Sequence, residues 1–88
     1  MNGNKKIEEA KLEYPRVWDF TVIGRDKAKI EEAIKDVLGD KEHSCSFSKS
    51  SKNGKFQSYS ASCEVASQKE RDELYEKFSQ HQDLDYIL

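Results

Sequence analysis

Between Arg16 and Ile23, Trp18, Phe20 and Val22 alternate with Asp19 and Thr21. Successive side chains of a strand point to opposite faces, so the alternation predicts a strand with one buried face. Tyr14-Pro15 opens it, because proline presses its predecessor toward extended backbone and has no N–H for a ladder. Gly24 closes it. The period then changes: Ile30, Ala33, Ile34, Val37 and Leu38 recur at helical spacing, the stripe of an amphipathic helix. Asp26 is placed to cap its first turn and Gly39 to stop it.

Two serine-rich segments follow. In His43 to Ser50, Cys45 and Phe47 are expected to face inward and Ser44, Ser46 and Ser48 outward. In Phe56 to Ala66, Tyr59, Ala61, Cys63 and Val65 point one way and Ser58, Ser60, Ser62 and Glu64 the other. Serine is a poor strand former, so the first segment depends on its partner. Both inward sets are odd-numbered, so paired numbers must sum to an even value, which a simple Asn53-Gly54 turn does not give. A three-residue loop fits: with Lys52 and Asn53 in a type I turn and Gly54 left-handed, Phe47 faces Tyr59 and Cys45 faces Ala61.

Ser67 and Glu70 form a Ser-x-x-Glu capping box ahead of a second helix, with Leu74, Tyr75 and Phe78 as its buried stripe. After a break at Gln80 to Asp83, Leu84, Tyr86 and Leu88 alternate with Asp85 and Ile87, which predicts a fourth strand.

Strand, helix, strand, strand, helix, strand, with right-handed crossovers, is an α+β, ferredoxin-like βαββαβ sandwich. Its antiparallel sheet has the order 4-1-3-2 and carries both helices on one face. Residues 14–88 form this single domain, and residues 1–13 a flexible N-terminal tail. The other face of the sheet is left open. On it the pattern places Asp19, Thr21 and Ile23, then Ser44, Ser46 and Ser48, then Phe56, Ser58, Ser60, Ser62 and Glu64, and finally Asp85 and Ile87.

Composition bears on function more than on fold. A chain of 88 residues supports one small core, so a surface or interface site suits it better than a deep private cavity. With 15 basic and 17 acidic residues the formal net charge is -2, without the basic footprint of a nucleic-acid module. No apolar run approaches the roughly 20 residues that span a bilayer, and no apolar stretch follows a basic N-terminus. The expected location is cytoplasmic, with no membrane and no nucleic-acid partner. Cys45 and Cys63 are too few for a disulfide framework and are expected as reduced core residues.

Candidate chemistry is sparse. A base-stacking sheet needs outward aromatics on its central strands, and Phe56, at a strand end, is the lone one in this pattern. A phosphatase of this fold needs an anion-cradling loop and a positioned asparagine. Here the loop is Gly24-Arg25-Asp26, and Asn2, Asn4 and Asn53 lie in the tail and the turn. A hydrolase with a cryptic anion site at Arg25 is therefore the weakest alternative. The first loop lacks the paired cysteines of a metallochaperone, and His43 and His81 read as surface histidines, so no metal and no cofactor is expected. Lys49, Lys52 and Lys55 concentrate at the hairpin tip, where they either meet an acidic partner or guard the strand edge. Ile23 and Ile87, on neighbouring strands, are expected side by side on the open face as a small apolar patch.

Several segments together resemble the YbeD-like family of small bacterial proteins: Tyr14-Pro15 before Trp18-Asp19-Phe20, Val22-Ile23-Gly24, and Ser50-Ser51-Lys52-Asn53-Gly54-Lys55-Phe56-Gln57-Ser58-Tyr59-Ser60. The resemblance spans nearly everything from Tyr14 to Leu88. It implies an ACT-like version of the ferredoxin fold, similar to regulatory domains that bind amino acids at subunit interfaces. A lipoate-related label attached to some relatives comes with it. ACT-type ligand sites use the turn after the first strand, which maps onto Gly24, Arg25 and Asp26.

The chain is thus expected to be a non-enzymatic regulatory or interaction domain. A small-molecule ligand is expected at Gly24, Arg25 and Asp26, and a protein partner or second copy at Ile23, Ile87, Lys52 and Lys55. A pure protein adaptor using the open face is the alternative.

Overall fold

In the computed structural model, which describes residues 12–88, the period-two segment forms β1 (Arg16–Gly24). Phe20 and Val22 are fully buried and Trp18 partly so. The remaining elements are α1 (Lys27–Leu38), β2 (His43–Ser50), β3 (Gln57–Val65), α2 (Gln68–Gln80) and β4 (Tyr86–Ile87). The expected tail falls almost wholly on residues 1–11, outside the described residues.

Both helices begin and end where their polar residues dictate. The Asp26 carboxylate accepts the Lys29 N–H at 3.1 Å, and Gly39, at φ 56°, closes α1 by donating its N–H to the Lys35 carbonyl. Only a residue without a Cβ takes that backbone conformation freely. At α2 the Ser67 hydroxyl accepts the Glu70 N–H at 3.1 Å. The Glu70 carboxylate reaches back one residue beyond Ser67, to the Ala66 N–H at 2.6 Å. At the other end of α2 His81 ties the helices together: its Nδ1 accepts the Asp83 N–H and its Nε2 lies 3.1 Å from Asp36 on α1.

The sheet order is β2-β3-β1-β4, all neighbours antiparallel, the ferredoxin-like α+β arrangement expected. Ile30, Ala33, Ile34 and Leu38 of α1 and Leu74 and Phe78 of α2 close over Phe20, Val22, Tyr59, Ala61 and Val65. Phe20 and Phe78 meet ring to ring at 5.2 Å. Burying these apolar side chains on one sheet face is what holds a domain of this size together.

Four expectations need correction. Tyr75 does not join the stripe of α2: it is 44% exposed, while Leu74 and Phe78 carry the packing. Cys45 is not a core residue, because β2 is an outer strand that the helices leave largely uncovered; the residue is exposed with its sulfur partly covered, whereas Cys63 is buried, and both are free. The hairpin has the expected pairs Phe47 with Tyr59 and Cys45 with Ala61, but not the three-residue loop. A bulge between Phe47 and Lys49 shifts the register, so Lys49 pairs with Ser58 and Ser50 with Gln57. Ser51 then bonds across to Phe56, and Gly54, at φ 74°, donates to the Ser51 carbonyl.

The fourth correction concerns the open face. Ile87 pairs with Val22 and Tyr86 with Ile23, so Ile87 shares the inward side of Val22 and packs partly buried against the core. Tyr86, 58% exposed, shares the outward side of Ile23. Leu84 fills the core from the turn before the strand. Tyr86, not Ile87, is the neighbour of Ile23 on the open face.

Candidate interaction surface on the open sheet face

On the face away from the helices, β1 presents Val17, Asp19, Thr21 and Ile23 opposite Glu64, Ser62, Ser60 and Ser58 of β3. Its middle is small and hydroxylated, and the Ser62 hydroxyl donates to the Asp19 carboxylate across the strands. The two ends differ.

At the hairpin end, Phe56 leads into β3 and Tyr86 stands on β4, with β1 between them. Their rings reach across that strand and meet edge to face, centroids 5.8 Å apart. Two cations rim this pair. The Arg25 guanidinium lies 5.4 Å and the Lys55 ammonium 5.5 Å from the Phe56 ring centre, within the range at which a cation is drawn to an aromatic face. Asp85 approaches Arg25 at 3.8 Å, a loose contact on a side chain that is 64% exposed. At the opposite end, Val17, 65% exposed, lines a shallow groove with Glu42, His43, Ser44, Ser62 and Glu64.

The expected ligand residues occupy the turn beside the aromatic pair, and each also holds structure there. Gly24 is packed so closely that a Cβ on it would lie 2.8 Å from Ile30 Cγ1 and 2.9 Å from the Asp83 carbonyl oxygen. Asp26 caps α1, and Arg25 leans over Phe56. A shallow depression lined by Arg25, Asp26, Lys29, Gln82, Asp83 and Asp85 runs beside this turn. Of the expected partner residues, the structure brings Ile23 and Lys55 to the aromatic patch, leaves Lys52 exposed at the hairpin tip and turns Ile87 inward. Tyr86 was hidden because Leu84, Tyr86, Ile87 and Leu88 supply apolar residues of both parities.

The thiols and the buried phenol are poorly placed for nucleophilic work. Burial, then the nearby Glu31 carboxylate, pushes the Cys45 thiol up. Burial raises Cys63 as well, with Lys41 acting against it and Glu70 with it. Both shifts move away from the reactive thiolate. The Tyr59 phenol, buried and donating to Glu31 at 2.9 Å, is pushed up to about 12 by burial first and by that carboxylate second. Among the described residues, no group of three His, Cys, Asp or Glu side chains is placed to hold a metal ion, and no helix is long and apolar enough to cross a membrane.

Fold and face together define a small ferredoxin-like α+β domain with one sheet face that none of the described residues covers and an aromatic, cation-rimmed patch at one end of it. The chain belongs to the family described as protein of unknown function DUF493, whose model matches residues 9–88; this is the YbeD-like family whose resemblance its segments carry. It is similar to a Campylobacter jejuni protein, uncharacterized protein Cj0253, at 36% identity over 70 residues and 80% of each chain. An uncharacterized Helicobacter pylori protein is 35% identical over 69 residues, covering 76% of this chain and 78% of that one. The solution structure of protein HP0495 from H. pylori superimposes with a TM-score of 0.79 at 30% identity, covering 100% of this chain and 94% of that one.

Proposed function

We propose that the chain is a non-enzymatic interaction domain of the cytoplasm that docks another polypeptide on the open face of its sheet, over Ile23, Phe56 and Tyr86. The observation that carries this is the Phe56–Tyr86 pair with Arg25 and Lys55 at its rim. Aromatic rings and arginine are the side chains most enriched where protein interfaces concentrate their binding energy. The raised thiols of Cys45 and Cys63 support a binding role over covalent catalysis. A polypeptide is favoured over a nucleic acid because Asp19 and Glu64 share the face and would repel phosphates.

Hydroxyl-radical footprinting tests the docking. In extract of the native cell, the labelling of Phe56 and Tyr86 relative to that of Tyr75, exposed on α2, is expected to fall below its value in the dilute purified protein. Equal ratios in the two samples would overturn the proposal.

A second role, ACT-like ligand sensing linked to metabolic regulation, is favoured by the depression beside Gly24. Arg25 and Lys29 face Asp26, Asp83 and Asp85 there, a mixture of charges suited to a zwitterion such as an amino acid. Titration with amino acids and with lipoate precursors should shift the amide signals around Gly24. Unchanged signals at millimolar ligand remove this role.

A further inference from the structure

The geometry points to a second copy of this chain as the occupant of the open face, held face to face and antiparallel about a two-fold axis crossing the strands at Thr21 and Ser60. This rests on the interaction role proposed above and names its partner.

A two-fold interface brings the same patch from both copies together, so it must be complementary to itself. The charges at the two ends of the open face meet that condition. Thr21 and Ser60 are opposite one another in the β1–β3 register. Arg25 and Val17 each lie four residues from Thr21, and Phe56 and Glu64 each lie four residues from Ser60. A two-fold axis through that pair, lying between the sheets and perpendicular to the strands, carries Arg25 of one copy over Val17 of the other and Phe56 over Glu64. The same rotation returns both contacts in reverse.

Charge follows this symmetry. The hairpin end carries Arg25, Lys55 and Lys49, the last brought to the open side by the bulge. Asp85 is in loose contact with Arg25, and Asp26 and Asp83 lie with Lys29 in the depression behind it. The groove end carries Asp19, Glu42 and Glu64. Among the described residues, the two basic groups lining that groove are engaged elsewhere: Lys41 bonds Glu70 at 3.1 Å, and His43 Nδ1 lies 2.6 Å from the Lys41 carbonyl. Opposite charges therefore meet at both ends of the antiparallel arrangement, and like charges would meet in the parallel one.

Shape follows it too. Ser58, Ser60, Ser62 and Thr21 keep the middle of β1 and β3 low, with Leu88, 74% exposed, beside Thr21 at the sheet edge, and this lets two sheets approach the roughly 10 Å spacing of packed faces. The tall rings stand at one end only. β4 pairs with Val22 and Ile23, and Leu88 after it bonds Thr21, so the edge of β1 beyond Thr21 leaves room for Tyr86 of the second copy beside Asp19 and Val17.

Charge exchange, read by sedimentation of the purified full chain, tests the pairing. The wild-type chain should form a dimer that weakens as salt is raised. Arg25→Glu and Glu64→Arg should each weaken it by roughly tenfold or more, because the symmetry makes each substitution act twice. Arg25→Glu combined with Glu64→Arg in one chain should restore it. Both side chains lie on the surface, and matching amide spectra would show that every variant folds. A dimer that ignores the single substitutions, or a double variant that stays weak, overturns this arrangement. A wild-type chain that stays monomeric at millimolar concentration also overturns it. If Phe56 and Tyr86 are nonetheless shielded in extract, the interaction role stands and the occupant is a different protein.

Discussion

The Asp83 carbonyl oxygen sits 2.9 Å from where a Cβ on Gly24 would lie, with Ile30 Cγ1 at 2.8 Å on the same point. Gly24 is therefore the place where the end of β1, the first turn of α1 and the chain entering β4 all converge. Its φ is unremarkable for any residue; what glycine supplies is space. Gly24→Ala should destabilise the domain by about 1–3 kcal/mol, the cost of forcing a methyl group into packed surroundings. Equilibrium urea unfolding would read it as a lower midpoint with unchanged slope. An unchanged midpoint would mean that Asp83 yields freely.

The reversed facing of β4 makes a second prediction. Ile87 packs against the core beside Val22, while Tyr86 stands outside beside Ile23. Ile87→Ala should cost roughly 1–2 kcal/mol, below the range for a fully buried isoleucine because Ile87 is only partly covered. Tyr86→Ala should cost less than about 1 kcal/mol, the worth of its ring contact with Phe56. Thermal unfolding of the two variants side by side distinguishes the facings. A larger loss for Tyr86→Ala would put Tyr86 inside.

Much of this was legible in the chain because long patterns have one solution. Phe20 and Val22, and Ile30, Ala33, Ile34 and Leu38, repeat often enough that slipping by one residue would expose the whole set. The same logic fails at β4, where Leu84, Tyr86, Ile87 and Leu88 satisfy either parity. There the decision falls to backbone bonds, from Asp85 N–H to the Ile23 carbonyl and from Leu88 N–H to the Thr21 carbonyl. It fails again at Ser48, because a serine is small and polar enough to sit on either face of an outer strand and penalises no register, so the bulge carries no signature in the pattern. The Phe56–Tyr86 patch inherits both difficulties, being assembled from a strand end and the reversed strand. The two ends of the open face became comparable only once the β1–β3 register set Thr21 opposite Ser60.

Tyr59 predicts a loss of stability in alkali. Its phenol, ordinarily near 10.0, is raised to about 12 in the fold, by burial and then by the hydrogen bond it donates to Glu31. The raised value contributes stability in full below 10, where both folded and unfolded chains keep the proton. Above 10 the unfolded chain loses its proton first, so stability falls as the pH rises toward 12. Tyr59→Phe should be less stable than wild type by about 1 kcal/mol at neutral pH, having lost one hydrogen bond. The gap should narrow and then reverse as the pH climbs through that window. Urea midpoints of the two proteins, compared across the alkaline range, would show it, and a constant gap would refute it.

Glu70 predicts the opposite slope in acid. Its carboxylate accepts the Ala66 N–H at 2.6 Å and meets Lys41 at 3.1 Å. The backbone N–H first and Lys41 second hold it below its ordinary 4.5, with burial working weakly against them. A depressed value contributes stability that is present above 4.5 and is lost as the pH falls through the lower folded value, when the carboxylate takes up its proton. Glu70→Gln keeps an acceptor for Ala66 but carries no charge for Lys41. It should be about 1 kcal/mol less stable than wild type at neutral pH, and the difference should vanish in acid. Lys41→Met should remove part of the same difference, and because the two side chains touch, the double variant should lose less than the two single losses combined. If the Glu70→Gln gap persists unchanged into acid, the carboxylate's charge contributes nothing, and the cap alone fixes the start of α2.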